Sequence, residues 1–394
     1  MELTSDLHLG DGEGTDNLVT INGGTVNVGN AIHVHSGTFE IKGGYISNTI
    51  THLGSDGHGH AGAIVSGGTW NTTQDFYVGN SSPGLLLMSG GMVTVSGTTF
   101  VTYSQTSGTM ALEGGVFATN RILNGGGTAT VTFDGGTLRA LRNESDFIAD
   151  FQPGSMTIRE GGVFIDTNGF EVGISASFSG SGRLTKLGSG TLTLSGNQAH
   201  IGEIVVNEGM LKADGALAAF GITVNAGGIL GGSGWVNEVV LNQYAIIAPG
   251  NSPGTLHTGS QVWQGGAIYQ WEVDNLANPT QWDLLEIAGT LTLNPGEEKI
   301  TLRIFQPNSD SGLLSDAPYR LTIATATGGI IGFSDSAFVI QNDFGGDWQF
   351  AIELSQDGRS LDLVYRNIPE PGTGVMVIGG SLLAMVRFRR RRQV

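Results

Sequence analysis

Cysteine is absent from all 394 residues, which excludes disulfides, thiolate metal sites and cysteine nucleophiles. That absence suits a chain held unfolded for export. Charge is scarce as well, at 13% of residues against a usual quarter or so. What charge there is leans one way, with 35 acidic against 18 basic residues and a formal net charge of −17. Arg387, Arg389, Arg390, Arg391 and Arg392 form one terminal cluster, so the remainder carries 13 basic against 35 acidic residues, or −22. A surface of that sign repels phosphate backbones, which excludes nucleic acid as a partner. The opening MELTSDLHLGDGEGTDN has no basic segment followed by an apolar run, so export requires a start upstream of Met1.

Glycine, by contrast, fills 65 positions, too many for a helical protein. It recurs in pairs inside short alternating stretches: VTINGGTVNV, FEIKGGYIS, AIVSGGTW, LLMSGGMVTV, MALEGGVFAT, VTFDGGTLRA and MTIREGGVFI. The second glycines are Gly24, Gly44, Gly68, Gly91, Gly115, Gly136 and Gly162, a period in the twenties that marks a solenoid. A leucine-rich repeat would need a leucine ladder. Here apolar residues alternate with polar ones, so each coil reads as two or three short strands. Val131, Phe133 and Leu138 are expected to point inward, with glycine supplying positive φ at the corners. No coil can bury its apolar face alone; stacking supplies the stability.

Over residues 178–258 the units tighten, and GRLTKLGSGTLTLSGN followed by IVVNEGMLKADG closely resembles the autotransporter-associated β-strand repeat of secreted bacterial β-helix passengers. APGNSPGTL resembles the close of many such passengers. The earlier coils share only the general style. Beyond residue 258 the glycine period fades, and Trp235, Trp263, Trp271, Trp282 and Trp348 make five of the six tryptophans lie late in the chain. The fold expected is all-β: a right-handed parallel β-helix (β-solenoid) over 1–258, a β-rich cap over 259–367, and a sorting tail over 368–394. The late aromatics are expected in the core of the cap, with stacking on carbohydrate as their other role.

Chemical motifs are few. GNSPG (250–254) matches the G-x-S-x-G nucleophile pattern, yet Pro253 has no N–H for an oxyanion hole, so Ser252 reads as a turn residue. GHGHAG (57–62) leads into a strand-like run instead of opening a helix, unlike a dinucleotide site. DGEGTDN (11–17) resembles a calcium loop but has Asn22 where an EF-hand has its glutamate, so calcium is expected at most as a weakly held counter-ion. Asp134, Glu160 and Asp166 are scattered singly, without the paired carboxylates of a glycosidase. No catalytic residue is assigned and no cofactor is expected. Six histidines, His8, His33, His35, His52, His58 and His60, fall in the first sixty residues. His52, Asp56, His58 and His60 in HLGSDGHGH are the candidate metal ligands, with His33 and His35 on one strand face near them.

The chain ends on Pro369-Glu370-Pro371, the apolar GTGVMVIGGSLLAMV (372–386) and the five arginines. As a helix the apolar part is about 22 Å long, short of a ~30 Å hydrocarbon layer, and the arginines mark its cytoplasmic end. A plain membrane anchor is one reading. The complete order closely resembles the PEP-CTERM sorting signal of Gram-negative bacteria, with Gly372 where that family commonly has serine. The resemblance implies recognition by an exosortase, a membrane protease or transpeptidase, processing near the triplet, and delivery to the cell envelope or exterior after a transient stay in the inner membrane. The function expected is that of a non-enzymatic surface or matrix protein associated with exopolysaccharide or envelope glycans. The alternatives are a secreted carbohydrate-active β-helix enzyme and a metal-binding surface protein.

Overall fold

A computed structural model of the chain describes residues 1–10, 17–55, 59–199, 202–217, 221–274, 281–305, 319–342 and 348–367. Among them there is no helix; the molecule is a parallel β-solenoid, all-β as expected. Each coil adds a strand to up to three faces, and each strand pairs in parallel with its equivalents one coil away. One face begins with Leu7–Leu9, Ala31–Val34, Ile50–Leu53 and Phe76–Gly79. A second begins with Glu2–Leu3, Thr25–Val28, Tyr45–Asn48 and Thr69–Thr72. The third begins with Leu18–Ile21, Gly37–Ile41 and Ala61–Val65. The continuous strand Gly84–Tyr103 runs through all three faces in turn, with register breaks at its corners.

Strand alternation sends every second side chain into the shaft. Val131, Phe133 and Leu138 are fully buried, as the pattern predicts, and so are the equivalent residues of neighbouring coils. Each such aliphatic or aromatic side chain contributes about 2 kcal/mol of burial, which no isolated coil could collect. Polar residues enter at the corners only with partners. Asn48 accepts from Trp70 Nε1 at 2.9 Å and donates to Thr51 Oγ1 at 2.9 Å.

The corner glycines stack on one another. Gly68, Gly91 and Gly115 have φ of 72°, 69° and 72°, and a Cβ on Gly91 would lie 2.7 Å from the Gly67 carbonyl carbon. In Asp134-Gly135-Gly136 the roles split: Gly135 carries the positive φ, while a Cβ on Gly136 would meet Leu112 Cγ at 2.2 Å.

Coil length explains the change of texture along the chain. Successive partners Ile148 and Ile174 are 26 residues apart, whereas Leu211 and Leu230 are 19 apart. The shortened coils lose their strand on the third face, which shrinks to single bridges at Gln198–Leu217, Ala216–Trp235 and Trp235–His257. Two faces run on without a break past residue 258, through Gln261–Gln264, Leu291–Asn294 and Ile330–Ile331 and through Ile268–Glu272, Ile300–Phe305 and Phe338–Asn342. The change near 258 belongs to the third face. There Thr255–Thr258, Leu284–Ile287 and Tyr319–Ala326 pair in parallel, and an antiparallel hairpin of Trp348–Leu354 and Ser360–Asn367 closes the sheet. Trp263 and Trp271 are buried there, while Trp235 is 56% exposed.

Candidate functional site

The first coils bring four histidines to one outer surface. Leu7, Leu9, Ile32 and Val34 turn toward the shaft, so the residues between them turn out. Register then places His8 beside His33, His33 beside His52, His52 beside Tyr77 and Tyr77 beside Phe100. The rings form a stack with centroids 4.8, 4.8, 4.9 and 5.1 Å apart and interplanar angles of 7° to 9°. Such spacings are those of neighbouring strands, so the stack follows from placing rings at equivalent positions of successive coils.

Asp6 stands at the open end of that stack. Its Oδ1 accepts from the Ala31 amide at 3.0 Å and from Asn30 Nδ2 at 2.7 Å. Its Oδ2 lies 3.9 Å from His8 Nε2 and 4.0 Å from His33 Nε2. One ligand atom from each of Asp6, His8 and His33 falls within 4.8 Å of the others. The amide of Ala31, with smaller help from Asn30 and the two imidazoles, holds the Asp6 carboxyl below its usual pKa against the opposing effect of burial. His35, one strand position beyond Val34, meets His8 Nδ1 through its Nε2 at 2.9 Å and Ser55 Oγ through its Nδ1 at 2.7 Å. Burial, with the neighbouring His33, pushes the His52 imidazole down to about 4.

Of the metal ligands expected from HLGSDGHGH, His52 joins this stack, His60 is exposed at the end of its loop, and Asp56 and His58 lie outside the described residues. His33 and His35 share a face as expected. Asp6 and His8 are the members that inspection of the loop misses; the available signal was distance, since His8, His33 and His52 are separated by 25 and 19 residues, each the length of a local coil.

The remaining candidates resolve into structural parts. Asp134 caps a corner, accepting from the Gly161 amide at 2.6 Å, and Asp166 pairs with Arg139 at 2.8 Å. Glu160 is exposed. Ser252, at a φ of 75°, donates to Glu272 at 2.6 Å and has the turn role read from its motif. A shallow cavity of about 360 Å³ beside it is bordered by Lys212, Glu272 and Asp283. Burial, reinforced by the charge of Glu272, raises the Asp283 carboxyl to about 7. Both of its oxygens are engaged by backbone, Oδ1 by the Gly254 amide and Oδ2 by the Glu272 amide, each at 2.9 Å. Asp283 is thus a clamp on the turn. The Ser55–His35 pair resembles a nucleophile and its base, but the far nitrogen of His35 meets the His8 ring where a triad has a carboxylate. Pro369, Glu370, Pro371 and the five arginines lie outside the described residues, as does the stretch 11–16.

The architecture defines the class: a parallel β-solenoid built of passenger-type coils. Residues 184–213 match the Passenger-associated-transport-repeat, the stretch where the coils are shortest. A segment of 168 residues, 41% of this chain, is 33% identical to an extracellular serine protease of Serratia marcescens. That segment amounts to 15% of the relative's length, so the chain spans a small part of it. Repeats of this kind point to an exported protein, at the cell surface or outside it.

Proposed function

We propose that this chain is a non-enzymatic structural or adhesive protein of the cell surface or extracellular matrix, addressed there by its C-terminal tail and associated with exopolysaccharide. The observation that carries the reading is the unbroken parallel stack around residues 184–213, where the passenger-type repeat lies. A stiff shaft with an acidic exterior serves to hold and present surface. Glycans have chemically suitable partners on it. Trp235 is more than half exposed, flanked in its ladder by the small Ala216 and stacked on His257 at 4.5 Å, and indole faces suit sugar rings. The order Pro369-Glu370-Pro371, apolar span and arginine cluster supports sorting by an exosortase-type membrane enzyme.

Intact mass and C-terminal peptide mapping of the native protein in inner-membrane, envelope and culture fractions test the sorting. A chain ending near residues 369–371 in the envelope or medium is the expected result; a full-length chain retained in the inner membrane would mean a permanent anchor. The second reading, a secreted carbohydrate-active enzyme, draws on Glu272 and the raised Asp283 beside one cavity. Release of oligosaccharides from cognate polysaccharide by the purified protein would favour it over the structural reading.

A further inference from the structure

We propose that Asp6, His8 and His33 form a binding site for a late first-row transition-metal dication such as zinc, oriented by a relay through His35 and Ser55. This inference is independent of the sorting and glycan readings above. Stacked histidines alone do not make a site, because parallel register puts any ring at the strand spacing. What register does not dictate is the carboxylate. Asp6 spends Oδ1 on the Ala31 amide and the Asn30 side chain, which leaves Oδ2 turned toward the Nε2 atoms of two imidazoles from adjacent coils, at 3.9 and 4.0 Å.

The donor set is two neutral imidazole nitrogens and one carboxylate oxygen, a combination that zinc takes at about 2.0–2.2 Å with water completing the tetrahedron. Tetrahedral bonds of that length separate donor atoms by about 3.3 Å, so each Asp6 contact has to close by about 0.6 Å. His8 and Asp6 side chains are 44% and 32% exposed, and small torsional adjustments suffice. Magnesium or calcium would demand more oxygen ligands than these residues supply.

The second ring nitrogen of a metal-bound histidine usually donates to a fixed acceptor, which sets its tautomer. His8 has that arrangement. With Nε2 on the metal, its Nδ1–H donates to His35 Nε2, and His35 Nδ1–H donates to Ser55 Oγ, across contacts of 2.9 and 2.7 Å. Both hydrogen bonds then run in one direction from metal to hydroxyl. His35 is therefore a positioning residue, and His52, next in the stack, packs behind His33.

Calorimetric titration of zinc into the full chain, carrying no histidine tag, tests the site, with cobalt(II) absorption as a readout of tetrahedral coordination. One zinc per chain is expected, with binding at least about 100-fold weaker and the cobalt bands lost in the His8→Ala/His33→Ala double variant. Asp6→Asn, which keeps volume and corner hydrogen bonding, should also abolish the tetrahedral spectrum. His35→Phe preserves the ring but removes the relay, and should weaken zinc about 10- to 100-fold while retaining the bands. His58→Ala/His60→Ala should bind like the parent. The proposal is overturned if the parent binds no zinc, if the double variant or Asp6→Asn, with circular dichroism unchanged, binds as tightly as the parent, or if binding is lost with His58 and His60.

Discussion

The Lys186 ammonium donates to Thr167 Oγ1 at 3.0 Å in the coil before it and to the Glu208 carbonyl at 3.0 Å in the coil after, with the Leu187 and Gly188 carbonyls at 2.9 and 2.6 Å. It is fully buried, and burial pulls its pKa down to about 8 against the attraction of Asp166 and Glu208, so at neutral pH it stays charged. Lys186→Met strands carbonyl oxygens that face no other donor, and a loss of about 2–4 kcal/mol is expected in urea unfolding. Asp283 makes the opposite pH argument. Its folded pKa, about 7, stands above the model value of 3.8, so the folded state holds a proton the unfolded state releases. That contribution is complete below pH 4 and is lost as pH rises through 7. Melting temperatures of the parent should fall between pH 4 and pH 8 relative to Asp283→Asn, which cannot ionise; parallel curves would show that the carboxyl does not titrate there. Lys186 was legible in part, since alternation puts it on the same side as Leu184, but nothing in LTKLGSG announces a buried ammonium. Its four acceptors come from three coils.

At the scale of the coil, glycine pairs were the most informative feature. Six of the seven second glycines, from Gly24 to Gly162 with Gly136 excepted, adopt positive φ, because the corner needs a left-handed residue and the coil below leaves no room for a Cβ. Gly91→Val adds both penalties at a site packed against Gly67 and Gly68; a loss exceeding about 2 kcal/mol is expected, whereas valine at the outward Thr94 should be nearly neutral. The histidine stack was less legible. Composition showed the histidines crowded near the start, and the loop HLGSDGHGH drew notice because its residues are adjacent in the chain. Adjacency in a solenoid is measured by coil offset, and the offset varies from 17 residues between Leu230 and Ile247 to 26 between Ile148 and Ile174, so no fixed period aligns His8 with His33 and His52.

For the whole molecule, stability is a sum over neighbouring coils, and the exposed ends are its weak points. The closing hairpin handles one of them. Arg320 on Tyr319–Ala326 bonds Asp362 at 2.9 Å and also Glu353, and Thr322 donates to Asp362 at 2.9 Å, tying the antiparallel pair onto the last parallel strand. Ending the chain at residue 347 exposes that strand's edge, a template for pairing with another copy. Sedimentation velocity should show concentration-dependent association of the 1–347 chain and its absence from the 1–367 chain. Equal behaviour would mean that the hairpin does not guard the edge.

Composition and local pattern by themselves determined the all-β class, the solenoid and the inward residues, because glycine corners and two-residue alternation are properties of neighbours along the chain. They also determined the acidic exterior, and they carry the terminal motif on which the sorting proposal rests. Only the tertiary structure decided where two faces run past residue 258, that Lys186 and Asp283 are buried clamps, and that Asp6 meets His8 and His33. The physical reason is the same in each case: these contacts join residues one coil apart, and the length of a coil is set by how its loops and corners fold, which the short-range pattern does not encode.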